Sequence, residues 1–301
     1  MMGSHMDTSK CRALLTVLDC GSLAAAAESL GYTTSGISRM MLSLEAELGF
    51  TLLVRSKAGV SPTAECVRML PTLTQLARLG ESCEQQASLI RGVEVGHVRV
   101  GCAYRRFYAP LARIIEEFTD AHPGVEVEMA ARNSSPLVRD LERGEMDLAV
   151  ISRREGIFDW TLLLNDPMVA IVPTDHPLAD AGRYPVERFA KDPFIMLYPD
   201  EESDNSRTLA ASGVHPNSHY TVRELREARE LVAIGLGVTM ANKIYTDWDD
   251  DRVRTLPLTP GVNVSIGVAT ARREIASPAA YSFADYALPR LREAARNITR
   301  G

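Results

Sequence analysis

The spacing of apolar residues changes character once along this chain, and the change divides it. From Asp7 to about Arg91 apolar residues recur at threes and fours, the helical period. From "HVRVGCA" (His97–Ala103) onward, short apolar runs alternate with helical stretches. "GVEVGH" (Gly92–His97), punctuated by glycine, marks the boundary. A helical part followed by an alternating strand–helix part does not build one small core, and 301 residues suffice for two or three domains.

Within the helical part, Asp7–Asp19 places Cys11, Leu14, Leu15 and Leu18 on one face of a first helix. Ser22 is an N-cap for a second helix, Leu23–Leu30, and Gly31 permits a turn. Thr33 or Thr34 caps a third, whose stripe runs Ile37, Met40 or Met41, Leu44 and Leu48 to a stop at Gly49. Two helices joined by a short glycine-containing turn form a helix-turn-helix. The small side chains of Ala24–Ala27 let the second and third helices cross closely. The start of the third helix carries hydroxyls and an arginine, too polar for a core face. A recognition helix presents such groups to base edges and phosphates. Leu52–Val54 and Gly59–Ser61 read as a hairpin, a wing whose tip carries Arg55 and Lys57 toward phosphates. The candidate DNA contacts are Ser22, Thr33, Thr34, Ser35, Ser38, Arg39, Ser43, Arg55 and Lys57.

A formal net charge of −6 argues against a generally basic nucleic-acid binder. The first 62 residues hold five basic and five acidic side chains, so DNA contact there must be local. Thr63 opens a helical pattern reaching Arg91, with Val67, Leu70, Leu73, Leu76, Cys83, Ala87 and Ile90 recurring at threes and fours. At ~1.5 Å per residue this is a rod of roughly 43 Å. Such a rod between two domains is expected to have nothing of its own to bury against, and to pair with a second copy. Pro71 is expected to bend it.

Several classes are excluded. No apolar run approaches the ~20 residues that span a bilayer. No signal-peptide pattern opens the chain, "GSHM" (Gly3–Met6) reads as a cloning scar, and the cytoplasm is the expected compartment. The five cysteines make no CxxC pair and the histidines no HxxxH or HExxH, so neither a metal nor another cofactor is expected. No GxSxG elbow or spaced Cys/His pair suggests an enzyme.

The chain resembles the LysR-type transcriptional regulators over essentially its full length. The resemblance rests on "GSLAAAAESLGYTTSGISRMMLSLEAELGFTLLVRSKAGVSPTA" (21–64), "NSSPLVRDLERGEMDLAVIS" (133–152), "IVPTDHPLA" (171–179) and "LVAIGLGVTM" (231–240), in that order. It implies an α/β chain: an all-α winged helix-turn-helix (7–63), a linker and dimerisation helix (64–92), and a two-lobed α/β effector domain (93–301) of the periplasmic-binding-protein type. Lobe one would be 97–164 with 264–301, and lobe two 165–263, hinged near Leu163–Met168 and Gly261–Ser265. It also implies double-stranded DNA bearing an interrupted inverted repeat, self-association as a dimer or tetramer, a small-molecule effector, RNA polymerase as a further partner, and no membrane.

Two-lobed sheet proteins bind ligands at the C-terminal ends of their strands. These points are Cys102, Ala103, Tyr104 and Arg105, then Ser134 and Ser135, then Ser152 and Arg153 in lobe one, with Tyr198 and Arg223 in lobe two. Helix starts favour anions, and the pairs Arg105-Arg106 and Arg153-Arg154 add charge, so a small anion, a carboxylate, is the expected effector. Cys102, at a strand end near a helix start, is a candidate for a lowered thiol pKa. The competing expectation is an exported solute-binding protein, which the lobes alone would permit.

Overall fold

The structure, a computed structural model, describes residues 7–56, 59–90, 95–272 and 276–299. The expectations for Lys57, for Gly3–Met6 and for the boundary at 91–94 lie outside these residues.

Three helices, α1 (Thr8–Cys20), α2 (Leu23–Ser29) and α3 (Thr34–Leu48), precede a hairpin of β1 (Leu53–Ser56) and β2 (Gly59–Pro62). Each helix starts on a side-chain cap: Asp7, Ser22 and Thr33 accept from the backbone N–H of Ser9, Ala25 and Gly36. Leu14, Val17, Ile37, Met41, Leu44 and Leu52 fill the core between them. Of the four alanines only Ala26 and Ala27 are buried; Ala24 and Ala25 are exposed, so only half the run serves the helix crossing. The hairpin is held at both ends. Glu45 accepts the N–H of Leu52 at 2.7 Å and of Leu53 at 3.2 Å, and Val60 N–H donates to Gly21 O at 2.8 Å. Gly59 sits at φ +122°, where a Cβ would stand 2.7 Å from Gly21 O, so this approach requires glycine.

The long helix α4 (Ala64–Ile90) runs through Pro71 and starts on Thr63, whose Oγ1 accepts the Cys66 N–H at 3.0 Å. It does not stand alone. Cys66, Leu73 and Ala77 belong to the helix-turn-helix core. Further along, Arg78 Nη1 donates to Asp147 Oδ1 at 2.8 Å, and Gln85 Oε1 accepts the Ala279 N–H. The expectation that the rod has nothing of its own to bury against is therefore corrected. Leu73 is consumed inside its own chain, and the exposed apolar positions are Val67, Leu79, Leu89 and Ile90.

The C-terminal part alternates β3 (Gly96–Cys102), α5 (Tyr108–Ala121), β4 (Val125–Ala131), α6 (Ser134–Arg143) and β5 (Leu148–Ser152). Strand β6 (Asp159–Pro173) follows, then β7 (Tyr184–Pro185), β8 (Phe194–Leu197), α7 (Asp204–Ala211), β9 (Ser218–Val222) and α8 (Leu225–Ala233). The chain ends with β10 (Thr239–Asn242), β11 (Val253–Thr259), β12 (Asn263–Thr270) and α9 (Pro278–Ile298). One sheet is ordered β4-β3-β5-β12-β6-β11-β7, with β10 also on β6; β8 and β9 form a separate parallel pair. Strand β6 is 15 residues long. Its first part, Asp159–Pro167, pairs with β12, and its second, Met168–Pro173, with β10 and β11. A single strand thus passes from one lobe to the other. Phe107, Leu111, Phe118 and Phe283 centre the first lobe's core, and Tyr184, Phe189, Phe194 and Met240 the second's.

Candidate nucleic-acid face and interlobe cleft

On α3 the residues Ser35, Ser38, Arg39 and Leu42 recur at threes and fours along one helix face, and Ser35, Arg39 and Leu42 are exposed. Thr33 and Thr34 are exposed at its start; the Thr33 and Ser35 hydroxyls lie 3.2 Å apart, and Arg39 Nε reaches back to Ser35 O at 3.4 Å. Arg55, on the wing, donates to Ser38 Oγ at 3.4 and 3.5 Å, so wing and helix form one continuous surface. Ser22 caps α2. Ser43 is a correction. Its hydroxyl accepts from Lys10 Nζ at 3.0 Å and donates to Glu47, which itself pairs with Lys10. Its hydroxyl is engaged in tying α3 to α1. Leu42, 57% exposed in the middle of that polar face, and Tyr32, 51% exposed beside it, were not among the expected contacts.

The second site lies between the lobes: a cleft of about 1170 Å³ lined by Tyr104, Arg105, Tyr108, Asn133, Ser134, Arg154, Tyr198, Asp204, Arg223, Tyr245 and Trp248 among others. Seven arginines line it against four carboxylates (Glu201, Asp204, Glu224, Asp247). Four of the arginines have partners: Arg132 pairs with Asp140, Arg154 with Asp204, Arg223 with Asp200, and Arg229 with Glu230 and Asp250. Arg105, Arg139 and Arg226 are exposed and, among the described residues, make no ion pair. Arg106 is not a free cation, since it bonds Asp247 across the cleft at 2.8 Å.

Several expected contacts are corrected. Arg153 turns away from the cleft and stacks over Trp160, 5.4 Å from its ring centroid. Alternation explains this, because Ser152 and Arg154 share one side of the strand extension and Arg153 takes the other. Ser152 and Ser135 lie beneath the lining: Ser152 bonds Asp204 and Ser134, and Ser135 Oγ donates to Glu202 O at 2.8 Å. Cys102 is fully buried, donates to Tyr104 O, and has its thiol pKa pushed up to about 12 by burial. That is opposite to the lowering expected for a reactive thiol. Ala103 lines the cleft, with its carbonyl accepting from Tyr245 Oη at 2.7 Å. Tyr198 sits at φ +52° on the cleft wall, its phenol pushed up to about 12 chiefly by burial. Ser134, at the start of α6, lies at the lining, and so does Ser203, the N-cap of α7.

Asp166 lies behind the cleft, on the strand that joins the lobes. Both its oxygens accept the Ile244 N–H at 3.1 Å, yet burial pushes its carboxyl up to about 6.

Residues 9–67 match the family described as bacterial regulatory helix-turn-helix protein, lysR family, and residues 91–292 match the LysR substrate binding domain. The chain is 24% identical over 283 residues to a probable HTH-type transcriptional regulator, LrrA, of Synechococcus elongatus, covering 93% of this chain and 96% of that protein. A full-length OxyR variant from Pseudomonas aeruginosa superposes with a TM-score of 0.70 at 20% identity, over 97% of this chain and 95% of that one. Full-length CbnR in complex with its target DNA superposes with a TM-score of 0.57 at 17% identity, over 95% and 100%. Both share the fold.

Proposed function

The chain belongs to the LysR family of DNA-binding transcription regulators, and we propose that it reads its operator with the α3–wing face and is switched by a small anion held between the lobes. The observation that carries the DNA reading is the exposed run of Ser35, Ser38, Arg39 and Leu42 on α3, continuous with Arg55 on the wing. In a major groove Arg39 meets a guanine edge, and Leu42 has only the thymine methyl to contact. Arg55 meets phosphate. CbnR, which shares the fold, is bound to DNA in one of its structures, in keeping with this reading. An exported solute-binding protein would leave the helix-turn-helix match at 9–67 without a role.

Residues 7–63 serve as the DNA-binding domain, 64–92 as the linker and 93–301 as the effector domain. Self-association through the exposed apolar positions of α4 pairs two DNA-binding domains, and two-fold protein symmetry calls for an interrupted inverted repeat. The effector reading rests on Arg105, Arg139 and Arg226, cations at the cleft that make no ion pair among the described residues. Among the described residues no helix is long and apolar enough to cross a membrane, and the proposed place of action is the cytoplasm.

The test is selection of bound duplexes from a random library by the purified protein, followed by affinity measurement with wild type and Arg39→Ala. Wild type should enrich one motif, and the variant should lose ~1–3 kcal/mol on it. Equal affinities on the enriched duplex would remove Arg39 from the interface.

A further inference from the structure

At the floor of the cleft one carboxylate of lobe two is gripped entirely by lobe one. Asp204 is the first residue of α7. Its Oδ2 accepts from the Tyr104 hydroxyl at 2.6 Å, and its Oδ1 accepts from Ser152 Oγ at 2.7 Å and Arg154 Nη2 at 3.1 Å. Ser134 Oγ stands 3.1 Å behind Ser152 Oγ. The Arg154 side chain is only 6% exposed, and its buried Nε has no hydrogen-bond partner. A guanidinium so enclosed requires an anion beside it. Two phenol and serine hydroxyls and a buried arginine converging on one carboxylate make a carboxylate site, and the chain supplies the occupant itself.

We propose that this is the inner anion subsite of the cleft, held shut by Asp204, and that the effector is a small dianion whose one carboxylate displaces Asp204 while its second anionic group meets Arg105, Arg139 and Arg226. The proposal rests on the effector reading above. A monoanion displaces Asp204 only poorly, because a tethered carboxylate competes at an effective concentration of about millimolar or higher. A second charge at the unpaired arginines gives the ligand what the tether gives Asp204. Displacement also cuts the Asp204 tie between the lobes, leaving others, among them Asn133 to Glu201 and Tyr245 to Ala103, each at 2.7 Å, Ser135 to Glu202, and Arg106 to Asp247. Occupancy and lobe orientation are then linked, as a ligand-driven switch requires.

The experiment uses the full chain, with sodium acetate as the probe against sodium chloride at matched ionic strength. Asp204→Gly empties the site and strands Arg154, which should lower Tm by about 5–10 °C. Acetate should restore it saturably in Asp204→Gly, and should do nothing for wild type or for Asp204→Gly/Arg154→Met. If Asp204→Gly does not fold in chloride, refolding in acetate becomes the readout, with the same expectation. No acetate effect in Asp204→Gly, or an equal effect in wild type or in the double variant, overturns the subsite. The second arm measures the affinity of Asp204→Gly for the selected duplex with and without acetate. A change of threefold or more supports the switch; acetate rescue with unaltered DNA affinity overturns the switch while leaving the subsite in place.

Discussion

Removing the wing arginine separates contact with phosphate from reading of bases. Among the described residues the Arg55 side chain makes two long hydrogen bonds, 3.4 and 3.5 Å, both to the Ser38 hydroxyl. Arg55→Ala should therefore alter stability by no more than about 0.5 kcal/mol. If each protomer's Arg55 neutralises one phosphate, the slope of log affinity against log salt should fall by ~0.9 per protomer, or ~1.8 for a dimer. Between 50 and 200 mM salt the variant should then lose roughly 12-fold less affinity than wild type. Fluorescence anisotropy with a labelled selected duplex and a scrambled one, in a potassium chloride series, reads both slopes. The change should be equal on the two duplexes, because a phosphate contact carries no sequence information. Parallel salt lines for wild type and Arg55→Ala would refute the placement of the wing on DNA.

Leu42→Ala should bind the selected duplex and its uracil-for-thymine counterpart equally, whereas wild type should discriminate against the uracil duplex at one half-site position, since the two bases differ only in the methyl group; equal wild-type affinities would remove Leu42 from the readout. Asp147→Ala should cost ~3–5 kcal/mol in urea unfolding, because it strands Arg78 from the linker and orphans the Arg99 N–H that donates to Asp147 at 2.7 Å. Asp166, with its carboxyl raised to about 6, binds its proton more tightly folded than unfolded, where about 3.9 is usual. Its contribution is therefore full below ~3.9 and is lost as pH rises through about 6. Relative to wild type, Asp166→Asn should gain urea midpoint between pH 4 and pH 7, and a constant difference across that window would refute the assignment.

The sequence was most informative where function follows local periodicity. Caps at Ser22 and Thr33, the glycine stop at Gly49 and the hairpin at Gly59 all lie within a few residues of what they control. The helical period also carried Leu42, which lies four residues after Ser38, but nothing in a leucine's chemistry marks it in the sequence as a groove contact rather than a core residue. Strand alternation would have chosen Arg154 over Arg153 once Ser152 was placed. Asp204 had no such signal. Its partner Tyr104 is 100 residues away, and only the closing of one lobe on the other joins them. What the long helix packs against was hidden for a related reason: its apolar spacing fits a partner helix and the chain's own helix-turn-helix equally well. Leu73 serves the latter, while Leu79 and Ile90 stay exposed on this chain.

Hydroxyl-radical footprinting of the selected duplex tests most directly that two copies read DNA through the α3–wing face. Wild type should protect two half-sites on one side of the duplex, related by a dyad and spaced by one or more turns of about 10–10.5 base pairs, and Leu79→Glu/Ile90→Glu, which charges the exposed face of α4, should lose that paired protection. A single asymmetric footprint, or one that survives intact in both Arg39→Ala and Leu79→Glu/Ile90→Glu, would contradict it.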